Sequence, residues 1–438
     1  MDTKIVSVHG RRIWDSRGRP TVEVDVTLGC GATGRGMAPA GASRGSREAV
    51  DLRDGGERLG GFDVQRAVGG VRGEIAKLLV GRDAMDQSGA DRALIECDAT
   101  PAKSRLGGNA LIATSLAVLN AAAAARKLPL WRHLSDGRPV SIPLPEIQIF
   151  GGGAHAGRRV DVQDFMVMPL GARTFAEGLE WVAEIYRAAG DLMRDRGAIA
   201  GVADEGGHWP AFDANEDALD TLVEAIGRAG LEPGAQVGIS LDIAASEFGH
   251  DGRYRLALER RDLSREAMVD LLVGWLDRYP IVSIEDPLAE DDDDGWALFM
   301  RRVRERGRPL QVIGDDLLVT SAARVRHAAA GGLCNAVLIK PNQAGTVTET
   351  LAALEAGRAA GFATIVSARS GETEDATIAH LATGWNAGQL KVGSFTRSER
   401  MAKWNEMLRI EEAANAGTAY VGRGALADST RRRDDLSV

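Results

Sequence analysis

Three apolar runs between Ile281 and Gln343 each stop on a charged residue: IVSIE on Glu285, LQVIGD on Asp315 and AVLIK on Lys340. A strand buried in a parallel sheet reads as such a run, and its carboxyl end is where α/β folds present catalytic groups. Asp242 closes an earlier run of the same kind. Three carboxylates converging on one point suit a hard divalent cation, Mg²⁺ by preference, which keeps positions open for substrate oxygens. Singly, each acid reads as well as a helix cap or a surface charge. Their placement on successive strand ends is what favours a metal. Asp286 and Asp316, next to two of them, either point elsewhere or support from behind. Lys340 and Lys391 end later runs. Either lysine serves as a structural ion-pair partner or as a base, since a divalent cation nearby pushes an ammonium toward the free amine.

Three further features are weaker. Glu205 sits in Asp204-Glu205-Gly206-Gly207, a turn whose glycines allow a ligand to come close. Arg369-Ser370-Gly371 follows an apolar run and offers a guanidinium and a hydroxyl to a phosphate. His155, in GGGAHA, is equally readable as a ligand contact and as turn packing.

The elements that must position these groups are legible from spacing. From Glu285 the run ends at Asp315, Lys340, Ser367 and Lys391 follow at separations of 30, 25, 27 and 24 residues. A strand, a turn and a three-turn helix need about that many. Such units predict a parallel β/α barrel, with an open doubly wound sheet as the alternative. Upstream, residues 3–9 and 21–28 alternate as strands around the turn Asp15-Ser16-Arg17-Gly18-Arg19-Pro20. Residues 29–45 are rich in Gly and Ala and form either a plain surface loop or a mobile lid. Helical patterns cover 63–80, 86–97 and 108–126. Four prolines between Pro129 and Pro145 mark the passage between an amino-terminal domain, 1–135, and a catalytic domain, 136–438. Beyond it VDVQDFMVM is strand-like, and Thr174/Glu177 and Thr346/Glu349 are capping-box signals for helices to about Arg196 and Ala360. The terminal RRRDDLSV reads as a solvated tail.

Composition narrows the class. The 438 residues are 44% apolar and 26% charged, as expected of a globular protein with one or two domains. A net charge of −9 gives no footing for nucleic acid or an anionic membrane. Cys30, Cys97 and Cys334 are odd in number and scattered, which fits a reducing cytoplasm and neither a disulfide framework nor a zinc site. The amino terminus lacks a signal-peptide core, and no run approaches the ~18 apolar residues of a membrane span.

Taken in order, SRGRPTVEV, GASRGSREA, DEGG, SIEDPLAEDD, GDDL, LIKPNQ, RSGETEDAT and LKVGSFTRSERMAKWNEMLRIEE resemble the enolase family over essentially the whole chain. The resemblance implies an α/β fold with an amino-terminal α+β cap on a modified β/α barrel. It also implies Mg²⁺ dependence, a small anionic phosphorylated substrate and a homodimer or higher homo-oligomer. By position, Asp242, Glu285 and Asp315 match the family's metal ligands, and Ser43 the lid serine reaching a second metal. Lys340 matches the base for the C2 proton of 2-phosphoglycerate, and Lys391 the lysine that holds its carboxylate. Glu205 matches the acid that assists loss of the C3 hydroxyl, with Asp164 beside it, while Gln163, His155, Arg369 and Ser370 match substrate contacts.

The departures carry their own expectation. Where the family reads Gln-Glu-Phe-Met, this chain has Gln163-Asp164-Phe165-Met166, withdrawing the carboxylate by one carbon–carbon bond, ~1.5 Å. Where it reads Ser-His-Arg-Ser-Gly, this chain has Ala368 in place of the histidine. Arg44, Arg158 and Arg159 enter loops that are otherwise neutral or acidic. Solvated loop charge is one reading of them. The other is a bulkier or more anionic, phosphonate-type substrate, as in carboxyphosphonoenolpyruvate synthase of phosphinate antibiotic pathways, and this diverted reading leads. The alternatives are an ordinary phosphopyruvate hydratase and a non-catalytic binding protein of the same fold.

Overall fold

The computed structural model describes residues 1–414 and 418–427, so the tail expected at 431–438 lies outside the described residues. Ile5–Trp14 pairs antiparallel with Pro20–Leu28, and that strand with Thr33–Met37. The first strand runs on past residue 9 because its partner's register continues to Trp14↔Pro20. The reversal is made by Asp15, whose Oδ1 accepts the N–H groups of Arg17 and Arg19, each at 2.9 Å.

The glycine-rich stretch 29–45 is not one loop. Its middle is the strand Thr33–Met37, laid on the helix Gly108–Ala125. A Cβ on Gly34 would lie 2.0 Å from the backbone nitrogen of Ala121, and one on Gly36 2.2 Å from the carbonyl of Ala113. Those glycines serve close packing; residues 29–32 make the turn into this strand, and a longer loop follows Met37. The helix Gly108–Ala125 also corrects the hydropathy reading. Its 18 residues are long and apolar enough to cross a membrane, yet 89% of them are buried inside the protein, as in a core helix. The helical segment 65–79 contains a π turn at Val71–Ile75.

After the short helix Leu130–Ser135, eight strands close into a barrel. In spatial order they are Leu144–Gly151, Asp164–Met168, Gly238–Asp242, Ile281–Glu285, Gln311–Gly314, Ala336–Ile339, Ala363–Ser367 and Gly388–Ser394. The pairing Gln389↔Leu144 closes the ring and excludes the open sheet. From Gly238 onward neighbouring strands are parallel, as the spacing predicts. Asp164–Met168 is antiparallel to both its neighbours. That reversal delivers the beginning of this strand to the mouth where the others end, with Asp164 opposite Asp242.

The capping signals hold. Thr174 Oγ1 accepts the Glu177 N–H at 3.0 Å ahead of Phe175–Asp195, and Thr346 Oγ1 that of Glu349 at 3.2 Å ahead of Val347–Ala359. Asp242, Glu285 and Ser367 are last strand residues, and Asp315 and Lys340 stand one beyond. Lys391 is instead mid-strand in Gly388–Ser394, just before a register shift, and reaches the mouth by the length of its side chain. The amino-terminal unit covers that mouth through the bridge Ala40↔Gly371 and the ion pair of Glu48 with Arg369.

Candidate active site

Asp242, Glu285 and Asp315 are all buried, and each pairs with a lysine. Lys391 Nζ lies 3.0 Å from Asp242 Oδ2 and 2.8 Å from Glu285 Oε2, while Lys340 Nζ pairs with Asp315 Oδ2. Gln163 Nε2 donates to Asp242 Oδ2 at 3.1 Å. Burial and the neighbouring Asp242 charge raise the Glu285 carboxyl well above the usual range. Asp315 goes the other way: burial opposes, but the Lys340 and Arg369 charges win and hold it low. Lys340 itself lies above the ordinary lysine value. Burial favours the free amine, and the Asp315 carboxylate outweighs it. The lowered amine expected from the sequence therefore requires something to draw Asp315 away.

Behind these groups stands a polar frame. Asp286 accepts the backbone N–H of Asp315 at 2.9 Å and of Asp316 at 2.7 Å, so it supports the turn. Val319 and Thr320 both take positive φ, 43° and 50°, a costly conformation for β-branched residues. It is held by Thr320 Oγ1, which accepts the Lys340 N–H at 2.9 Å and donates to Gln343 Oε1 at 2.6 Å. Gln343 Nε2 in turn donates to Asp315 Oδ1 at 2.9 Å and to Glu48 Oε1 at 3.3 Å. The sequence reading missed Thr320, Gln343 and Glu48, although Gln343 and Glu48 lie within the motifs LIKPNQ and GASRGSREA.

On the lid side, Arg369 is 2.9 Å from Glu48 Oε2 and donates to the Ser43 carbonyl and Asn342 Oδ1, both at 3.1 Å. A Cβ on Gly41 would lie 2.0 Å from its Nη2 and 2.6 Å from the Ser43 carbonyl, so this loop lies against the guanidinium only with glycine there. Ser370 Oγ accepts the Ala42 N–H at 3.1 Å.

The opposite side is built from the reversed strand and two loops. His155 Nδ1 is 2.9 Å from Asp164 Oδ1, and its Nε2 is 3.0 Å from Ser370 Oγ and 3.7 Å from Glu205 Oε1. Gly206, at φ 95°, sets the turn that carries Glu205; a Cβ there would meet the Thr396 carbonyl at 2.6 Å. Burial works against the imidazolium, but Asp164 and Glu205 overcome it and raise His155 to about 9. Burial likewise works against the Asp164 carboxylate, and His155 overcomes it, lowering Asp164 to about 2. Of the two readings left open for His155, the site contact is the one its geometry supports.

Ser43, His155, Gln163, Asp164, Glu205, Asp242, Lys340, Arg369, Ser370 and Lys391 all line one narrow cavity, about 20 Å³, and Ala368 forms part of its wall. Glu285 and Asp315 lie directly behind the lysines they pair with. Arg44, Arg158 and Arg159 are not brought there. All three are exposed, and Arg158 pairs with Glu247 Oε2 at 2.6 Å.

The donor set fits a hard divalent cation. Glu285 Oε1 is buried with no hydrogen-bond partner, and Asp242 and Asp315 add carboxylate oxygens from adjoining strand ends. Among the described residues, three groups bring ligand atoms within 4.8 Å of one another: Asp286, Asp315 and Asp316; His155, Asp164 and Glu205; and the exposed His250, Asp251 and Asp291.

Comparison with known proteins agrees in both halves. Residues 5–134 match the family model of the enolase N-terminal domain, and residues 139–429 that of the enolase C-terminal TIM barrel domain. Over 427 residues, 97% of each chain, the sequence is 49% identical to Enolase 1 of Desulfitobacterium hafniense (strain Y51). With both halves matched by the family's models and nearly half its residues shared with this relative, the chain belongs to the enolase family.

Proposed function

We propose that the protein is an ordinary phosphopyruvate hydratase, interconverting 2-phosphoglycerate and phosphoenolpyruvate with loss or gain of water. The observation that carries this reading is the pairing of Lys340 with Asp315 and of Lys391 with Asp242 and Glu285 around one cavity. The likeness over 97% of both chains to a protein named Enolase 1 supports it.

Asp242, Glu285 and Asp315 hold Mg²⁺ in this reading, with Ser43 toward a second ion. Held there, the ion would supply positive charge against the substrate carboxylate and beside the Asp315 carboxylate that pairs with Lys340. Lys340 then takes the C2 proton, and the electron pair moves into the substrate carboxylate, which Lys391 faces. Arg369, Ser370 and His155 take the phosphate, with Gln163 beside them. As the C3–oxygen bond breaks, Glu205 assists the hydroxyl to leave as water, with Asp164 and the His155 imidazolium setting the charge on that side. We also propose a division into a cap, 1–135, and a catalytic domain, 136–438, assembly as a homo-oligomer, and a cytoplasmic site of action.

The diverted reading loses the feature that most favoured it. Arg44, Arg158 and Arg159 stand outside the cavity, so no added cation faces a bulkier anion. Asp164 and Ala368 remain as departures inside it. Assay of the purified protein with 2-phosphoglycerate and Mg²⁺, followed by the ultraviolet absorbance of the enol product, tests the proposal. Absence of turnover in folded, Mg²⁺-binding protein would refute it.

A further inference from the structure

Asp164 is short for its task, and the residue that makes up the difference is on the neighbouring strand. We propose that Gln148 is a positioning residue for the leaving-group side: its amide clamps one oxygen of Asp164 and so aims the other into the cavity. The proposal rests on the hydratase reading for its kinetic consequence, while the clamp itself is a matter of geometry.

Gln148 lies on Leu144–Gly151 with its side chain wholly buried, outside the cavity wall. Its Nε2 donates to Asp164 Oδ1, and its Oε1 accepts the Gly207 N–H at 2.9 Å. His155 Nδ1 meets the same Asp164 Oδ1 at 2.9 Å. A carboxylate swings about two torsions, and two donors on one oxygen remove that freedom. The other oxygen, Oδ2, is thereby presented: it is buried, has no hydrogen-bond partner and lies 3.8 Å from Lys391 Nζ. The same glutamine ties in the second acid of this side, because Gly207 ends the turn that carries Glu205. A Cβ on Gly207 would sit 2.4 Å from Gln148 Oε1, so the contact depends on glycine there. Three charged neighbours, Glu205, Asp242 and Lys391, act on the His155–Asp164 pair, and Gln148 adds a donor without adding charge.

An exchange of side-chain length tests this. Gln148→Asn removes one methylene from the donor and Asp164→Glu adds one to the acceptor, each a change of ~1.5 Å. Either alone is expected to lower kcat by roughly 10- to 100-fold with KM little changed, and the pair together to recover most of that loss. Losses that multiply in the double variant would overturn the clamp. Gln148→Met fills the same space without the amide and is expected to lose as much as Gln148→Asn. A wild-type rate in Gln148→Met would also overturn it. The His155 Nδ1 proton, observed by NMR in the absence of substrate, gives a second readout. Its far-downfield resonance is expected in the wild type and the double variant and lost in both single variants; persistence in both singles would refute the clamp. Wild-type protein that lacks turnover while this resonance follows the exchange would sink the hydratase reading and uphold the clamp.

Discussion

The two sides of the cavity are built by different rules. The side with Asp242, Glu285, Asp315 and Lys340 comes from consecutive parallel strands, each delivering its last residue or the next one. The side with Asp164, His155 and Glu205 comes from the start of a reversed strand and from two loops. Parallel strand ends repeat a geometry, so the backbone brings the charged groups on them to one mouth, where Gln163 and Gln343 then hold Asp242 and Asp315. Loop groups have no such repeat and must be placed by side-chain hydrogen bonds, here through Gln148, Ser370 and the Gly206 turn. Substitutions should therefore be tolerated less on the strand side than on the loop side, where a neighbour can compensate.

That contrast is broken most severely on the strand side. Lys340→Ala should lower kcat by about 1,000-fold or more, since no second base stands at its place. A variant within tenfold of wild type, measured at saturating substrate, would remove Lys340 as the base. Glu285→Gln should follow, with Mg²⁺ affinity weakened by roughly 10- to 100-fold in calorimetric titration; unchanged affinity would take Glu285 out of the ligand set.

On the loop side the effect is smaller and depends on pH. The folded His155 value, about 9, exceeds the unfolded value of 6.5, so its contribution to stability is complete below 6.5 and is lost as pH rises through 9. The loss is on the order of 3 kcal/mol, the shift converted at ~1.4 kcal/mol per unit. Asp164, lowered from 3.8 to about 2, contributes above 3.8 and loses that contribution as pH falls through 2. Urea midpoints between pH 6.5 and 9 should fall in the wild type and be flatter in His155→Gln. Equal slopes would show that the imidazolium is not what those carboxylates hold.

The smallest effects sharpen the comparison. Ala368→His should change kcat less than tenfold, because His155 already spans Ser370 and Glu205. A large gain would mean that Ala368 limits the reaction. Replacing Arg158 and Arg159 by alanine should leave KM for 2-phosphoglycerate within about twofold, as exposed charges of this kind contribute little. A marked rise would bring the loop back into the site.

The same contrast explains what the sequence disclosed. Glu285, Asp315 and Lys340 were legible because an apolar run ending on a charge is a local pattern that survives without the fold. The barrel was legible from the intervals between those ends. The reversal of Asp164–Met168 was not, because direction within a sheet leaves no mark on a five-residue strand. Gln148 was invisible for a related reason: an amide in a buried strand reads as an oddity until its partner 16 residues on is seen to face it. The glycines at 34 and 36 were misread as mobility, since packing against a helix and freedom to move call for the same residue. The loop arginines were overread because a local charge change does not say which way the side chain turns.

Turnover of 2-phosphoglycerate by the purified wild-type protein in Mg²⁺ tests the central claim most directly. A kcat in the ordinary enzyme range, about 1–1,000 s⁻¹, abolished by removing the metal and restored by adding it, is the predicted result. Folded protein that binds Mg²⁺ and leaves 2-phosphoglycerate unchanged would contradict it.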